Sequence, residues 1–417
     1  MMNRIEKIND NLTLIKTRKY KDINVYLRFS IYYSLKEKAS LILLSKLYSL
    51  TSIKYPSKSL MSNAKDMLYG IDVVSQCKSR ANIISLNIQY SFINPKFLND
   101  ITLDDYLSFI KETFFNTIID EKSVNEAKKI VISSMKRRLD KPVAYASEKV
   151  NEILAKQNKE FLSYTASTEL IHAIKSINLK DVKDSYKNII NKAQLDMYVC
   201  GDINIKQLNK LCFIDFNNRK AVNFKYSKFK YQQIKDITNR KKISQSCLNV
   251  LYSCPYTKQS KDFFAWNMGN ALLGYFPVSL LFMEVREKLS LCYSIGVIDY
   301  KNDGLVKIYT NIDGKNKKTV VDEINKQINR IVNKDYDFNQ LEISKSLFAN
   351  SIQSLYDEQE NLVDYLYECK LSKFDYSIEE YSRKIMEVTP DQIAKVFKHY
   401  KPLFVYMLKG ESNEKAL

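Results

Sequence analysis

An internal repeat constrains this chain more than any other feature. Ile174, Ile177, Val182 and Tyr186 recur as Ile385, Val388, Ile393 and Phe397, each pair 211 positions apart (385 − 174, 397 − 186). The apolar spacing of one helical stretch is therefore reproduced in a second. Asn178-Leu-Lys-Asp181 and Thr389-Pro-Asp-Gln392 hold the same place in the two copies, a polar cap followed by a helical start. After each comes an apolar run ending at Gly, Leu195 to Gly201 and Leu403 to Gly410. Two similar halves are implied.

The earlier parts of the halves agree with this. Asn24 to Ile31 alternates like a strand and leads into a Leu-rich helix over 38–50, as Cys247 to Ser253 leads into a helix over 263–273. Met67–Val74 and Ile83–Tyr90 read as a strand pair, echoed by Leu291–Val297 and Gly304–Asn311. Helices follow over 104–115 and 121–139. The expected fold class is α+β, each half a mainly antiparallel sheet with helices packed on one face. The boundaries read as 1–210 for the first half, 211–240 for a polar, aromatic linker without period, and 241–417 for the second.

With 417 residues the chain is long enough for two cores. Only eight Gly and seven Pro point to long regular elements and not to a turn-rich sandwich. The formal charge of +18 suggests an anionic partner, but the basic clusters are short and the lysines scattered, so solvated surface is the reading preferred. No nucleic-acid module stands out, and nucleic acid is not expected as a partner. Seven dispersed Cys without Cys-x-x-Cys argue against disulfides or a structural zinc and for a reducing compartment. The longest apolar run, Ala271 to Met283, is too short to span a bilayer, and the charged N-terminus lacks a signal-peptide core. A cytoplasmic location is expected.

The chemistry-bearing stretch is Leu281-Phe-Met-Glu-Val-Arg286-Glu-Lys-Leu-Ser-Leu-Cys-Tyr293-Ser-Ile295, which sets an Arg and a Tyr seven residues apart across a helix end. It follows an apolar helix, Met268 to Phe282, broken at Gly-Tyr-Phe-Pro277. In this order the residues resemble the second half of the M16 peptidases, the pitrilysin and mitochondrial-processing-peptidase-like family. The resemblance implies that Arg286 and Tyr293 hold a substrate carbonyl, a role suited to a guanidinium and a phenol facing a developing oxyanion. Spacing alone is equally met by Arg286 pairing with Glu284 or Glu287 and by Tyr293 packing in a strand.

The family's inverted zinc motif, His-x-x-Glu-His, is missing. The only His are His172 and His399, 227 positions apart (399 − 172), and neither precedes Glu-His. Ser40 to Thr51 with Ile53-Lys-Tyr-Pro56 resembles the motif helix and its exit, with Leu41, Leu44 and Ser45 where ligands and base would stand. A catalytic zinc needs about three protein ligands, so no metal and no catalytic residue are assigned to this chain alone. His172, three residues after Glu169, and His399 read as structural or surface residues.

The resemblance thus implies the zinc-free subunit of a heterodimeric bacterial M16B-like metallopeptidase that processes peptides or precursors. A sister subunit would carry His-x-x-Glu-His and the zinc, while this chain would supply Arg286, Tyr293 and half of the chamber. The positive charge would favour acidic peptides. The alternative is a proteolytically inactive scaffold or binding protein that keeps the M16 shell.

Overall fold

The computed structural model describes residues 4–48, 50–157, 165–226 and 230–410. It contains two sheets in two compact units. The first unit holds the chain up to Lys136, Ser167–Phe224 and Gln359–Tyr367; the second holds Arg137–Ala166, Lys225–Glu358 and the chain from Glu368.

The strands of the first unit are β1 (Arg4–Asn9), β2 (Leu12–Lys16), β3 (Asp22–Tyr32), β4 (Asp72–Arg80), β5 (Ile83–Ile93) and β6 (Gln194–Gly201), in the order β1-β2-β6-β3-β5-β4. All pairings are antiparallel except β2 with β6. Strict alternation on β3 produces two unlike faces. Ile23, Val25, Leu27 and Phe29 join Leu86, Ile88, Leu195 and Met197 in one apolar core, over which the helices Leu35–Leu47, Leu103–Phe115 and Leu179–Asn191 pack. The opposite face carries Asn24, Arg28 and Ser30, with Asn87 and Asp196 in register on either side of Arg28.

That polar face is buried, and its cover comes from far along the sequence. The residues 359–367 of the helix Gln359–Ser372 lie on it: Arg28 meets Asp364 at 2.9 Å, Lys78 meets Asp364 at 2.7 Å, and Ser30 shares a 2.5 Å hydrogen bond with the Tyr367 hydroxyl.

The second unit contains β7 (Ile237–Lys241), β8 (Ser246–Ser253), β9 (Cys292–Tyr300), β10 (Leu305–Ile312) and β11 (Lys401–Gly410), ordered β7-β11-β8-β10-β9. Here β7 runs parallel to β11, as β2 does to β6, and the other pairs are antiparallel. One of its faces also receives a helix from the other half of the sequence, Pro142–Gln157, but through apolar contacts: Ala146, Val150 and Leu154 pack with Cys247, Leu251, Leu305, Tyr406 and Leu408. Each half thus has the expected mainly antiparallel sheet and helix layer, plus one helical segment from the opposite half on the second face.

The repeated caps are capping boxes in both copies, Asn178 with Asp181 and Thr389 with Gln392. Two details differ from the sequence reading. The stretch read as a strand from Met67 becomes one only at Asp72, because Tyr69 (φ 52°) and Gly70 (φ 75°) are left-handed and form a turn. The hairpin β1-β2 was not anticipated, since its strands are short and β1 is largely exposed.

Candidate functional site

The helix Phe263–Gly274 is buried on every side, including Trp266, Met268 and Leu272. After the break at Tyr275 to Pro277 the chain re-enters a helical path that widens into a π-helix over Phe282–Lys288. Its wide-turn bonds include Leu289 N–H to Glu284 O at 3.0 Å, and Leu291 N–H reaches Val285 O at 3.0 Å. Ser290 then turns left-handed at φ 51°. Stretches of π-helix and positive φ at non-Gly residues both cost backbone energy and concentrate at functional positions.

A third irregularity follows at once. β9 pairs with β10 as Thr310↔Ile295 and Ile312↔Cys292, so Tyr293 and Ser294 together oppose Asn311. This is a β-bulge, which re-aims side chains on a strand, and the Thr310 hydroxyl pins it by donating to Ser294 O at 2.7 Å. Tyr293 is 78% exposed in consequence.

These distortions bring the two sequence-predicted residues together. The Arg286 guanidinium lies 5.7 Å from the Tyr293 ring centroid and 4.4 Å from that of Phe282, within cation–π range of both. Its carboxylate contact is Glu287 at 3.6 Å, an exposed pair that holds it weakly. Glu284 is engaged elsewhere, by Lys288 at 3.1 Å and Arg330 at 3.3 Å. The pair therefore presents a cationic donor and a phenol at an exposed strand edge. Neighbouring Cys292 is half-buried, and burial raises its thiol pKa, which suits a packed residue and not a nucleophile. Phe282 was missed from sequence, although its i, i+4 spacing to Arg286 was there to be read.

The zinc-motif position fails the test of chemistry. In the helix Leu35–Leu47, Leu41 and Leu44 are fully buried in the apolar core, and the buried Ser45 spends its hydroxyl on Ile42 O at 2.8 Å. Two hydrocarbon side chains and one satisfied hydroxyl cannot ligate zinc or activate water. Among the described residues no three His, Cys, Asp or Glu are grouped as metal ligands. His172 is exposed and, with Glu169, lines a cavity of about 890 Å³ on the first unit. His399 is exposed and shares a 2.8 Å hydrogen bond with the Tyr256 hydroxyl. Among the described residues no helix is long and apolar enough to cross a membrane.

Comparison with known proteins agrees with this geometry. Residues 176–348 match the family described as the peptidase M16 inactive domain. The Bacillus subtilis (strain 168) protein named probable inactive metalloprotease YmfF is 22% identical over 98% of both chains. A conserved protein from Enterococcus faecalis V583 has the same fold at TM-score 0.87, with 24% identity over 99% of this chain and 100% of that one. The peptidase M16 inactive domain from Pseudomonas fluorescens superposes at TM-score 0.78, with 12% identity and full coverage of both chains. Fold, missing metal ligands and relatives converge: the chain has an M16-like two-half fold, and its residues 176–348 are similar to the peptidase M16 inactive domain.

Proposed function

We propose that this chain is the zinc-free subunit of a two-subunit M16-like metallopeptidase and lends Arg286 and Tyr293 to a site completed by a sister chain. The observation that carries this reading is the convergence of Arg286 and Tyr293 at an exposed edge by way of a π-helix, a left-handed Ser and a bulge. A chain that used these residues only for packing would have no reason to keep three costly distortions in twelve residues, Phe282 to Tyr293. The metal and its His-x-x-Glu-His belong to the sister chain. The part of this chain is to grip: a peptide adds as a strand to the free edge of β9, and the guanidinium and phenol donate hydrogen bonds to its scissile carbonyl as negative charge gathers there. The substrates are peptides or precursors, with acidic ones favoured by the charge of +18. Seven free thiols suit a pair that works in the reducing cytoplasm.

The buried Leu41 and Leu44 equally favour a second reading, an M16 shell kept as a non-proteolytic scaffold. One experiment separates the two. Peptidase activity is assayed for this chain, for a sister chain bearing His-x-x-Glu-His, and for their mixture, with Arg286→Ala alongside. Activity confined to the mixture, reduced about 10²–10³-fold by Arg286→Ala while the complex persists on gel filtration, supports the subunit reading. A stable mixture that is inactive on varied peptides supports the scaffold.

A further inference from the structure

We propose that Tyr309, laid across Gly296, is the side-chain-selecting floor of the β9 edge and receives a large apolar side chain from an extended peptide. The inference rests on the strand-docking reading above and gives it a specificity. Among the described residues β9 pairs only with β10, so its far edge keeps a row of unused backbone donors and acceptors. Tyr309 stands opposite Gly296 and Lys307 opposite Ile298, so these four residues share one face of the sheet.

The glycine is what makes this face unusual. A Cβ at Gly296 would meet the Tyr309 hydroxyl at 2.8 Å and two ring carbons at 2.9 and 3.1 Å. The phenol thus fills the space that any other residue at 296 would claim, so its hydroxyl end lies over β9 at Gly296. A glycine inside a strand marks such a close approach. Tyr309 is 38% exposed and Ile298 beside it 40%, whereas Lys307 is buried with its ammonium 3.2 Å from the Ser147 hydroxyl. Of these four residues the accessible ones are therefore an aromatic ring and a hydrocarbon side chain, and the one charged group is buried. In a docked strand every second side chain falls on this face, and the one beside Gly296 meets the phenol with no Cβ between them. A leucine or phenylalanine there buries apolar area, whereas a glycine gains nothing and a carboxylate loses hydration.

The test uses the full chain and fluorescein-labelled decapeptides of alternating Thr and Ser with one central Leu, Phe, Gly or Glu. An N-methylated-backbone copy of the Leu peptide is the control for strand pairing, and binding is read by anisotropy. The Leu and Phe peptides are expected to bind about tenfold more tightly than the Gly and Glu peptides, and the N-methylated copy to bind much more weakly. Tyr309→Ala narrows the preference to about twofold, and so does Gly296→Ala, which keeps the phenol but pushes it off the strand; circular dichroism checks that both variants are folded. If both folded variants keep the full preference, the assignment to Tyr309 is wrong and strand docking stands. If no peptide binds, or the N-methylated copy binds equally well, strand docking itself fails and the inference goes with it.

Discussion

At the scale of single residues, a few of the chain's charged groups stand where burial makes them costly. Arg219 sends its guanidinium to the carbonyls of Ile189, Ile190 and Ala193, at 3.2, 2.6 and 2.9 Å, and closes the C-terminal end of the helix Leu179–Asn191. Arg219→Ala strands three partly buried acceptors and is expected to cost about 1–3 kcal/mol, read as a lower urea midpoint at unchanged slope. Asp303 stands in the turn between β9 and β10, where burial raises its carboxyl from 3.8 to about 7. Its folded pKa lies above its unfolded one, so its contribution to stability is full below pH 3.8 and is lost as pH rises through 7. Thermal melts between pH 4 and 8 should decline more steeply for the native protein than for Asp303→Asn; parallel profiles would contradict this. The spacing of Arg286 and Tyr293 across a helix end was there to be read in the sequence. Their closeness was not, since it depends on a π-helix and a bulge that no residue pattern here announces.

The elements teach a related lesson about what a pattern can say. Strand β3 alternates apolar and polar residues, which in sequence marks a half-buried strand with one wet face. The core face was therefore readable, yet the polar face is buried too, and only the helix residues 359–367 explain how. Alternation reports which face is oily but not which face is covered. The repeated capping boxes were legible because a cap is local, whereas the exchanged helices are not, since their contacts span up to 337 positions. Helix contact also explains a glycine the sequence left unremarked. A Cβ on Gly269, in the helix Phe263–Gly274, would collide with the rings and methyls of Phe397 and Ile393 on the helix Pro390–Phe397. Gly269→Ala should destabilise by about 1–3 kcal/mol despite the better helix propensity of Ala, measured by chemical denaturation. A neutral or stabilising result would mean that the two helices pack less tightly than described.

For the whole molecule the decisive fact is that neither unit is a continuous piece of chain. The two borrowed helices are nevertheless unlike, one meeting its sheet through charges and hydroxyls and the other through Ala146, Val150 and Leu154. Expressing the second half alone, residues 230–410, keeps β7 but leaves Leu251, Leu305 and Tyr406 bare, so it should aggregate or bind a hydrophobic dye. The first half, residues 4–224 with Ala146, Val150 and Leu154 changed to Ser so that its segment for the second sheet is polar too, exposes mostly polar groups and should stay in solution. Adding the segment 142–157 as a peptide should rescue the second half, and equal solubility of both halves without it would refute the asymmetry. A ribosome delivers the chain in one direction, and the asymmetry matches that schedule. The first sheet is finished well over a hundred residues before its cover emerges, and a face of Asn, Ser and Arg can wait in water at little risk. The second sheet is the greasy one, and by the time it emerges its covering helix has already been made.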